Sequence, residues 1–230
     1  MKANEGKSLE VELEGHRFQR IPIHTSLVLA DDKIDRIVSE FAAPVVKSGD
    51  WLFVTEKIVA ITQGRSYPVE SITPRRLAFR LSKHVKKTPS GIGLGMPETM
   101  EMALRECGVL RILFAAAVAA ITKKLGRKGD FYRIAGPKAR GIDGPTSGTI
   151  PPFNKQVVLA PENPKNVATE IKGILPGGVE VLIVDINDFG GNVLGSTLGK
   201  AQEGLAARIL ADNPLGQGHQ STPMGIIRKL

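Results

Sequence analysis

Val181-Leu182-Ile183-Val184-Asp185-Ile186-Asn187-Asp188-Phe189-Gly190-Gly191 is an apolar run that ends in polar, ligand-type residues and then two glycines. Asp185 and Asn187 fall on one side of an extended chain, and their oxygens are hard donors suited to Mg²⁺ or Mn²⁺ rather than zinc. A carboxylate at the C-terminal end of such a strand points into the crevice where α/β proteins bind ligands. An Asx turn at Asn187 and Asp188 is the competing account. A second stretch, Arg140-Gly141-Ile142-Asp143-Gly144-Pro145-Thr146-Ser147-Gly148-Thr149, is dense in small residues. It leaves backbone amides open to an anion and Asp143 open to a cation, although turn chemistry explains Asp-Gly-Pro equally well. A third, Gly216-Gln217-Gly218-His219-Gln220-Ser221-Thr222-Pro223, is a polar loop of the kind that wraps phosphates. Ser90-Gly91-Ile92-Gly93-Leu94-Gly95 reads either as a phosphate-cradling loop or as a hinge. No Gly-Lys-Ser/Thr follows it, and no strand pattern precedes it.

The elements that must carry these residues follow from periodicity. Trp51 to Thr55, Gln156 to Leu159, Val179 to Val184 and Met224 to Arg228 read as strands. Asp31 and Asp32 precede a helix bearing Ile34, Ile37, Val38 and Phe41, closed by Pro44, and the acids are expected to cap it. Thr73-Pro74 opens a helix with Leu77, Ala78, Leu81 and Val85 on one face. Its six cations, Arg75, Arg76, Arg80, Lys83, Lys86 and Lys87, occur with no acid among them. They form either a solvated face or an anion-attracting wall. A helix from Pro97 runs to an interruption at Gly108, and the Ala-rich segment Val109 to Ile121 is expected to be a tightly packed helix. Further helices are expected behind Asn163-Pro164 and from about Thr197 to Ala211. Alternating helices and strands make the class α/β with a mixed sheet. The 230 residues show no repeat and no linker, so a single domain is expected.

Hydrophobic residues at 42% and charged residues at 23% exclude a disordered chain or a coiled coil. The net charge of +8 favours phosphates, nucleotides, nucleic acid or acidic metabolites as partners. Eight Phe, two Tyr and one Trp are too few and too scattered for a single-strand stacking platform, so nucleic acid is not the expected partner. The lone Cys107 sits in a helical pattern and reads as a packed side chain rather than a nucleophile. The four histidines lack zinc spacing. Ile112 to Ile121 is too short to span a bilayer, and no secretory signal pattern appears, so a cytoplasmic protein without a membrane partner is expected.

Several of these stretches together resemble the γ-glutamyl ligase family of coenzyme F-420 biosynthesis. Phe53-Val54-Thr55-Glu56-Lys57-Ile58-Val59-Ala60-Ile61-Thr62-Gln63-Gly64-Arg65 is similar to that family's Thr-Gln-Lys-Ile-Val-Ser-Lys-Ala-Glu-Gly-Arg after a strand. Ile21-Pro22-Ile23 sits where the family has Leu-Pro-Glu-Ile, and Gly141-Ile142-Asp143 resembles its Asn-Ala-Gly-Val-Asp loop. Asp185 matches its strand-end Asp, and Gly216-Gln217-Gly218 with Thr222-Pro223-Met224-Gly225 matches its C-terminal loop and strand. The likeness extends over residues 20 to 230, and Gly93 to Met100 with Ile142 to Thr146 is closest to a divergent branch.

The resemblance implies an enzyme that couples GTP (or ATP) hydrolysis to amide formation between an acceptor carboxylate and the amine of glutamate. It implies Mg²⁺ or Mn²⁺, admits K⁺ beside it, and leaves a homodimer and a small-molecule acceptor as the expected partners. Carried over residue by residue, Asp143, Asp185 and Gln217 would hold metal, with Asn187 and Asp188 as substitute ligands. Pro22, Ile23, Thr55, Glu56, Lys57, Thr146, Gly216, Gly218, His219 and Thr222 would line the nucleotide. No catalytic acid or base is assigned. The chain departs from the family at Ile61, where a Lys is expected, at Ala139 for an Asn, and at Ile186 for a Thr. A nucleotide- or phosphometabolite-binding paralogue without ligase chemistry and a basic nucleic-acid-binding module are the other readings.

Overall fold

The computed structural model describes residues 3–85, 92–127, 129–187, 190–216 and 218–230. The chain forms two compact units, residues 1–64 with 162–230 and residues 65–161. In the first unit it runs through β1 (Glu10–Leu13), β2 (His16–Ile23), α1 (Ile34–Ile37) with a following π-helical turn, β3 (Trp51–Thr55) and α2 (Glu56–Thr62). The second unit holds β4 (Ser66–Pro68), α3 (Arg76–Ser82), α4 (Pro97–Cys107), α5 (Val109–Lys124), α6 (Asp130–Ala135), α7 (Pro137–Arg140) and β5 (Gln156–Val158). The chain then returns to the first unit as α8 (Pro164–Ile174), β6 (Glu180–Asn187), β7 (Gly190–Ser196), α9 (Lys200–Ile209) and β8 (Met224–Lys229).

The first unit is built on a mixed sheet in the order β1-β2-β8-β3-β6-β7. Only β3 and β6 pair parallel; every other neighbour is antiparallel. Period-two alternation sends Phe53, Leu182, Val184 and Ile227 to one face, where they pack with Ala206 and Ile209 of α9 and with Leu210 just after it. Leu52, Val54, Val181 and Ile183 are equally buried on the opposite face, the side of α2 and α8. Burial on both faces is why β3 and β6 read as unbroken apolar runs. Gly225 is fixed by crowding: a Cβ there would lie 2.6 Å from Phe53 Cζ and 2.8 Å from the Ile21 carbonyl oxygen.

Charge is buried in this unit only where it is paired. Asp50, 2% exposed, accepts from Arg228 Nε at 2.8 Å and Nη2 at 2.6 Å and from the Lys47 amide at 2.7 Å. The bidentate carboxylate raises the Arg228 pKa. Arg20, also 2% exposed, reaches Asp212 and the carbonyls of Ile209 and Ser8.

The second unit is mostly helical. Its core joins Ile72, Leu94, Met100, Leu104, Ile112, Ile142, Val157 and Leu159. On α4 the buried Glu101, 2% exposed, accepts from the Arg75 backbone N–H at 3.1 Å, from Arg75 Nε and Nη2 at 2.9 Å each, and from Arg105 Nε at 2.9 Å. Burial pushes the Glu101 carboxyl up, and the bonds from Arg75 and Arg105 outweigh it, holding the group at about 2.

Three expectations are corrected here. Asp32 accepts the Leu29 amide at 2.8 Å and closes the preceding turn, whereas the N-cap of α1 is Lys33, with no side-chain cap. The basic run on α3 is not wholly uncompensated, because Arg75 is neutralised by Glu101 from α4; Lys86 and Lys87 lie outside the described residues. The Ala-rich helix α5 forms as expected after Gly108, with φ +83°, but is not tightly packed: only Ile112 and Ala115 are buried.

Candidate functional site

Four segments of the first unit end or begin at one edge of its sheet, and strand register fixes them there. The parallel pair β3 and β6 sets Thr55, the last residue of β3, opposite Val184, so the final three residues of β6, Asp185 to Asn187, run on past the end of β3. Antiparallel β8 starts at the same edge, with Met224 opposite Val54, and β2 ends there, with Ile23 opposite Met224. The Thr55 amide donates to the Pro223 carbonyl at 3.0 Å, and the Thr25 amide to the Ser221 carbonyl at 3.0 Å. At roughly 4.8 Å per strand, the row from β2 through β8 and β3 to β6 spans about 14 Å. Pro22, Ile23, Thr55, Glu56, Lys57, Asp185, Asn187 and the described part of the Gly216 to Thr222 loop therefore share this region. It is the carboxyl-end edge where α/β sheets bind ligands.

Asp185 and Asn187 are half-buried and alternate with Val184 and Ile186. Ile186 packs against the α9 core with Leu182 and Val184, which sets Asp185 and Asn187 on the α2 and α8 side. Their backbones pair with Asn192 and Gly190 of β7, so the ladder holds both carrying positions to the strand's end. Asp188 and Gln217 lie outside the described residues.

The loop before β8 is held by contacts that the sequence does not announce. Asn4, 7% exposed, donates from Nδ2 to the Leu215 carbonyl at 2.8 Å and to Thr222 Oγ1 at 3.0 Å. Thr222 in turn donates to the Leu215 carbonyl at 2.9 Å. Both polar functions of this buried hydroxyl are thus engaged in shaping the loop. Asn213, Gly216 and Ser221 have φ of +50°, +75° and +50°, a density of left-handed backbone that tight loops at binding sites tolerate. Gln220 folds over the Gly-x-Gly: its Oε1 accepts the Gly218 amide at 2.7 Å, and a Cβ at Gly216 would sit 2.9 Å from its Nε2. His24 Nδ1 lies 3.0 Å from the Gln220 carbonyl, which can only accept, so the proton is on Nδ1. His24 and His219 are both exposed beside this loop. Asn4 gives no sequence signal, being one polar residue in a polar N-terminus; Gln220 was signalled only by the spacing of the glycines around it.

Asp143 and Thr146 belong to the second unit. Asp143 is exposed, and its backbone forms an antiparallel bridge with Val158, its amide donating to the Val158 carbonyl at 2.8 Å and its carbonyl accepting from the Val158 amide at 3.0 Å. Thr146 and Thr149 share a hydroxyl–hydroxyl hydrogen bond of 2.8 Å. Of the glycine loop, Ser90 and Gly91 lie outside the described residues, while Leu94 is wholly buried and the Gly95 amide closes a turn onto the Ile92 carbonyl at 2.9 Å. That part of the loop is a core-packing turn. Burial pushes the Cys107 thiol up, away from the thiolate a nucleophile requires. Among the described residues no group of three or more His, Cys, Asp or Glu side chains is gathered for a metal, and no helix is long and apolar enough to cross a membrane.

A family model described as F420-0:Gamma-glutamyl ligase matches residues 22–191, most of the 230 residues. The chain belongs to the F420-0:gamma-glutamyl ligase family. The matched stretch takes in the ends of β3 and β6, the Asp143 loop and α2; it stops before Gly216, Gly218, His219 and Thr222. No curated protein matches the sequence. Membership places the chain in an amide-bond ligase family, and its three departures from the family pattern fall on packed positions. Ile61 is 2% exposed on α2, Ala139 is 1% exposed in the second unit's core, and Ile186 packs against α9.

Proposed function

We propose that the protein is a nucleotide- and divalent-metal-dependent ligase that joins glutamate to a carboxylated acceptor through an acyl phosphate. The observation that carries this reading is the gathering of Thr55, Glu56, Lys57, Asp185, Asn187 and the pre-β8 loop at one sheet edge. A carboxylate does not form an amide in water without activation, and phosphoryl transfer is chiefly a matter of positioning and charge stabilisation. An acceptor carboxylate oxygen attacks the γ-phosphorus, the bond to the bridging oxygen breaks, and the nucleoside diphosphate leaves. The glutamate amine then attacks the acyl carbon, inorganic phosphate departs, and the amine gives up a proton.

The donor chemistry fits Mg²⁺ or Mn²⁺. Asp185 and Asn187 offer hard oxygens, and these ions keep several water or phosphate ligands rather than needing a full protein cage. Bound there, the metal would neutralise charge on the nucleotide oxygens. In this reading Lys57 supplies a counter-charge to the phosphates, the loop from Gly216 to Thr222 presents backbone amides, and Pro22 and Ile23 give an apolar wall. Asp143 and Gln217 are further proposed ligands, K⁺ a further proposed ion and Thr146 a further nucleotide contact, each to be tested by its own substitution.

A second reading, a phosphometabolite-binding paralogue without ligase chemistry, is favoured by one specific observation: packed apolar side chains stand at Ile61 and Ala139. A thermal-shift series with GTP, ATP, Mn²⁺ and glutamate, followed by phosphate release over a panel of carboxylic acids, tests both. Ligation requires a metal-dependent nucleotide shift and glutamate-dependent phosphate release. A shift without release supports the paralogue; no shift with any nucleotide–metal pair overturns the ligase reading.

A further inference from the structure

Charge is divided unequally between the two units. Residues 65–161 carry 17 Lys and Arg against six Asp and Glu, a net +11, so the rest of the chain is net −3 and the whole basic excess belongs to the second unit. Within it, Cys107 to Gly129 contains no acid, while Arg111, Lys123, Lys124 and Arg127 are all exposed. The same stretch holds the four most exposed large apolar side chains among the described residues: Leu110 at 84%, Leu125 at 74%, Ile121 at 63% and Phe114 at 62%. At about 100° per residue these four fall within about 60° of one another around the axis of α5, turned away from Ile112 and Ala115, which enter the core. A surface that is at once apolar and cationic has two demands to meet, and water meets only the second.

We infer that α5 docks the second unit on an anionic lipid surface, lying in the plane of the interface with Leu110, Phe114, Ile121 and Leu125 immersed. A helix held this way needs an apolar side flanked by cations, and no spanning length. The 16 residues of α5 supply the apolar side, and Lys123, Lys124 and Arg127 at its C-terminal end have stems long enough to lie along acyl chains while their charges reach the headgroup phosphates. The cations make the complement of an anionic leaflet, which attracts basic residues close to its surface. The ridge is mostly aliphatic and offers one aromatic ring, Phe114, where a single-stranded nucleic acid needs several to stack on. The inference goes beyond the ligase reading and does not depend on it.

Cosedimentation of the full chain with vesicles of phosphatidylcholine alone, or with about one-third phosphatidylserine, at about 50 and about 500 mM NaCl, tests it. Binding is expected on the phosphatidylserine vesicles, at least about tenfold weaker at the higher salt and at least about tenfold weaker on phosphatidylcholine. Replacing Lys123, Lys124 and Arg127 together by Gln should weaken it by about 100-fold, at roughly fivefold per cation. Phe114→Glu should weaken it by at least about tenfold with the far-UV circular dichroism unchanged, since the side chain is exposed in the free protein. The added emission of Phe114→Trp should shift to the blue on the vesicles and be quenched by brominated acyl chains. Equal binding to both vesicle types, or binding indifferent to Phe114→Glu, overturns the docking. So does failure to bind phosphatidylserine vesicles at the lower salt, whether the face is then found against RNA or against another protein.

Discussion

The two units hold their candidate residues by different means. In the first, the positions of Thr55, Asp185 and the pre-β8 loop are set by continuous strand pairing across β2, β8, β3 and β6, so displacing any one of them means breaking several ladder bonds. In the second, the Asp143 backbone pairs through an isolated bridge rather than a ladder, and the helices of the unit are tied by a buried carboxylate, Glu101, shared between two arginines. A ladder spreads its hold over many weak bonds, whereas a buried charge concentrates it in one residue. The first arrangement suits a site that must be preorganised; the second makes a unit that one substitution can loosen.

Intrinsic fluorescence separates the two regions, since Trp51 is the one tryptophan and lies in the first unit, while both tyrosines, Tyr67 and Tyr132, lie in the second. The largest effect expected is on activity: Asp185→Ala should lower kcat/KM by about 10³-fold or more with the Trp51 unfolding transition unchanged. Next, Asp50→Ala should destabilise the first unit by about 3 kcal/mol, because it strips the half-buried Arg228 guanidinium of both its carboxylate bonds; the tryptophan-reported urea midpoint would fall. Glu101→Gln should cost the second unit about 2 kcal/mol, the scale of hydrogen bonds to charged groups, and appear in the tyrosine signal.

Glu101 also gives that signal its acid limb. Its folded-state value of about 2 lies below the ordinary 4.5, so its contribution is fully present above about pH 4.5 and is lost as pH falls toward 2. The Glu101→Gln variant should lack this part of the acid transition, and an unchanged limb would remove Glu101 as its source. The smallest effect is on the loop: Asn4→Ala should cost about 1 to 2 kcal/mol in the tryptophan-reported transition and weaken nucleotide binding without altering the tyrosine transition.

Much of the first unit can be read from residues alone. The apolar runs at 51–55 and 179–184 are strands because both their faces are buried, and Pro164 and Pro97 start helices where their missing N–H costs nothing. The hairpin of β1 and β2 is less visible, since β1 is half exposed and β2 carries Arg17, Gln19 and Arg20. Strand β7 is hidden by its glycines: Gly195 is there because a Cβ would collide with the backbone at Pro164 and Lys165. At the site, the type and spacing of Asp185 and Asn187 are legible, but the pins of the loop, Asn4 and Thr222, are joined across more than two hundred residues. Glu101 is concealed for the same reason, since nothing in the sequence sets it apart from Glu98 and Glu106 on the same helix as the one that will be buried between Arg75 and Arg105.

The central claim is that the strand-end oxygens of β6 take part in holding a divalent ion for the nucleotide. Electron paramagnetic resonance titration of Mn²⁺ into the full chain, with and without GTP, tests it most directly. The expected result is saturable Mn²⁺ binding that tightens with GTP and is weakened at least about tenfold in Asp185→Asn, the scale at which loss of a ligand's support is felt. Identical Mn²⁺ titrations of the wild type and Asp185→Asn would contradict the account.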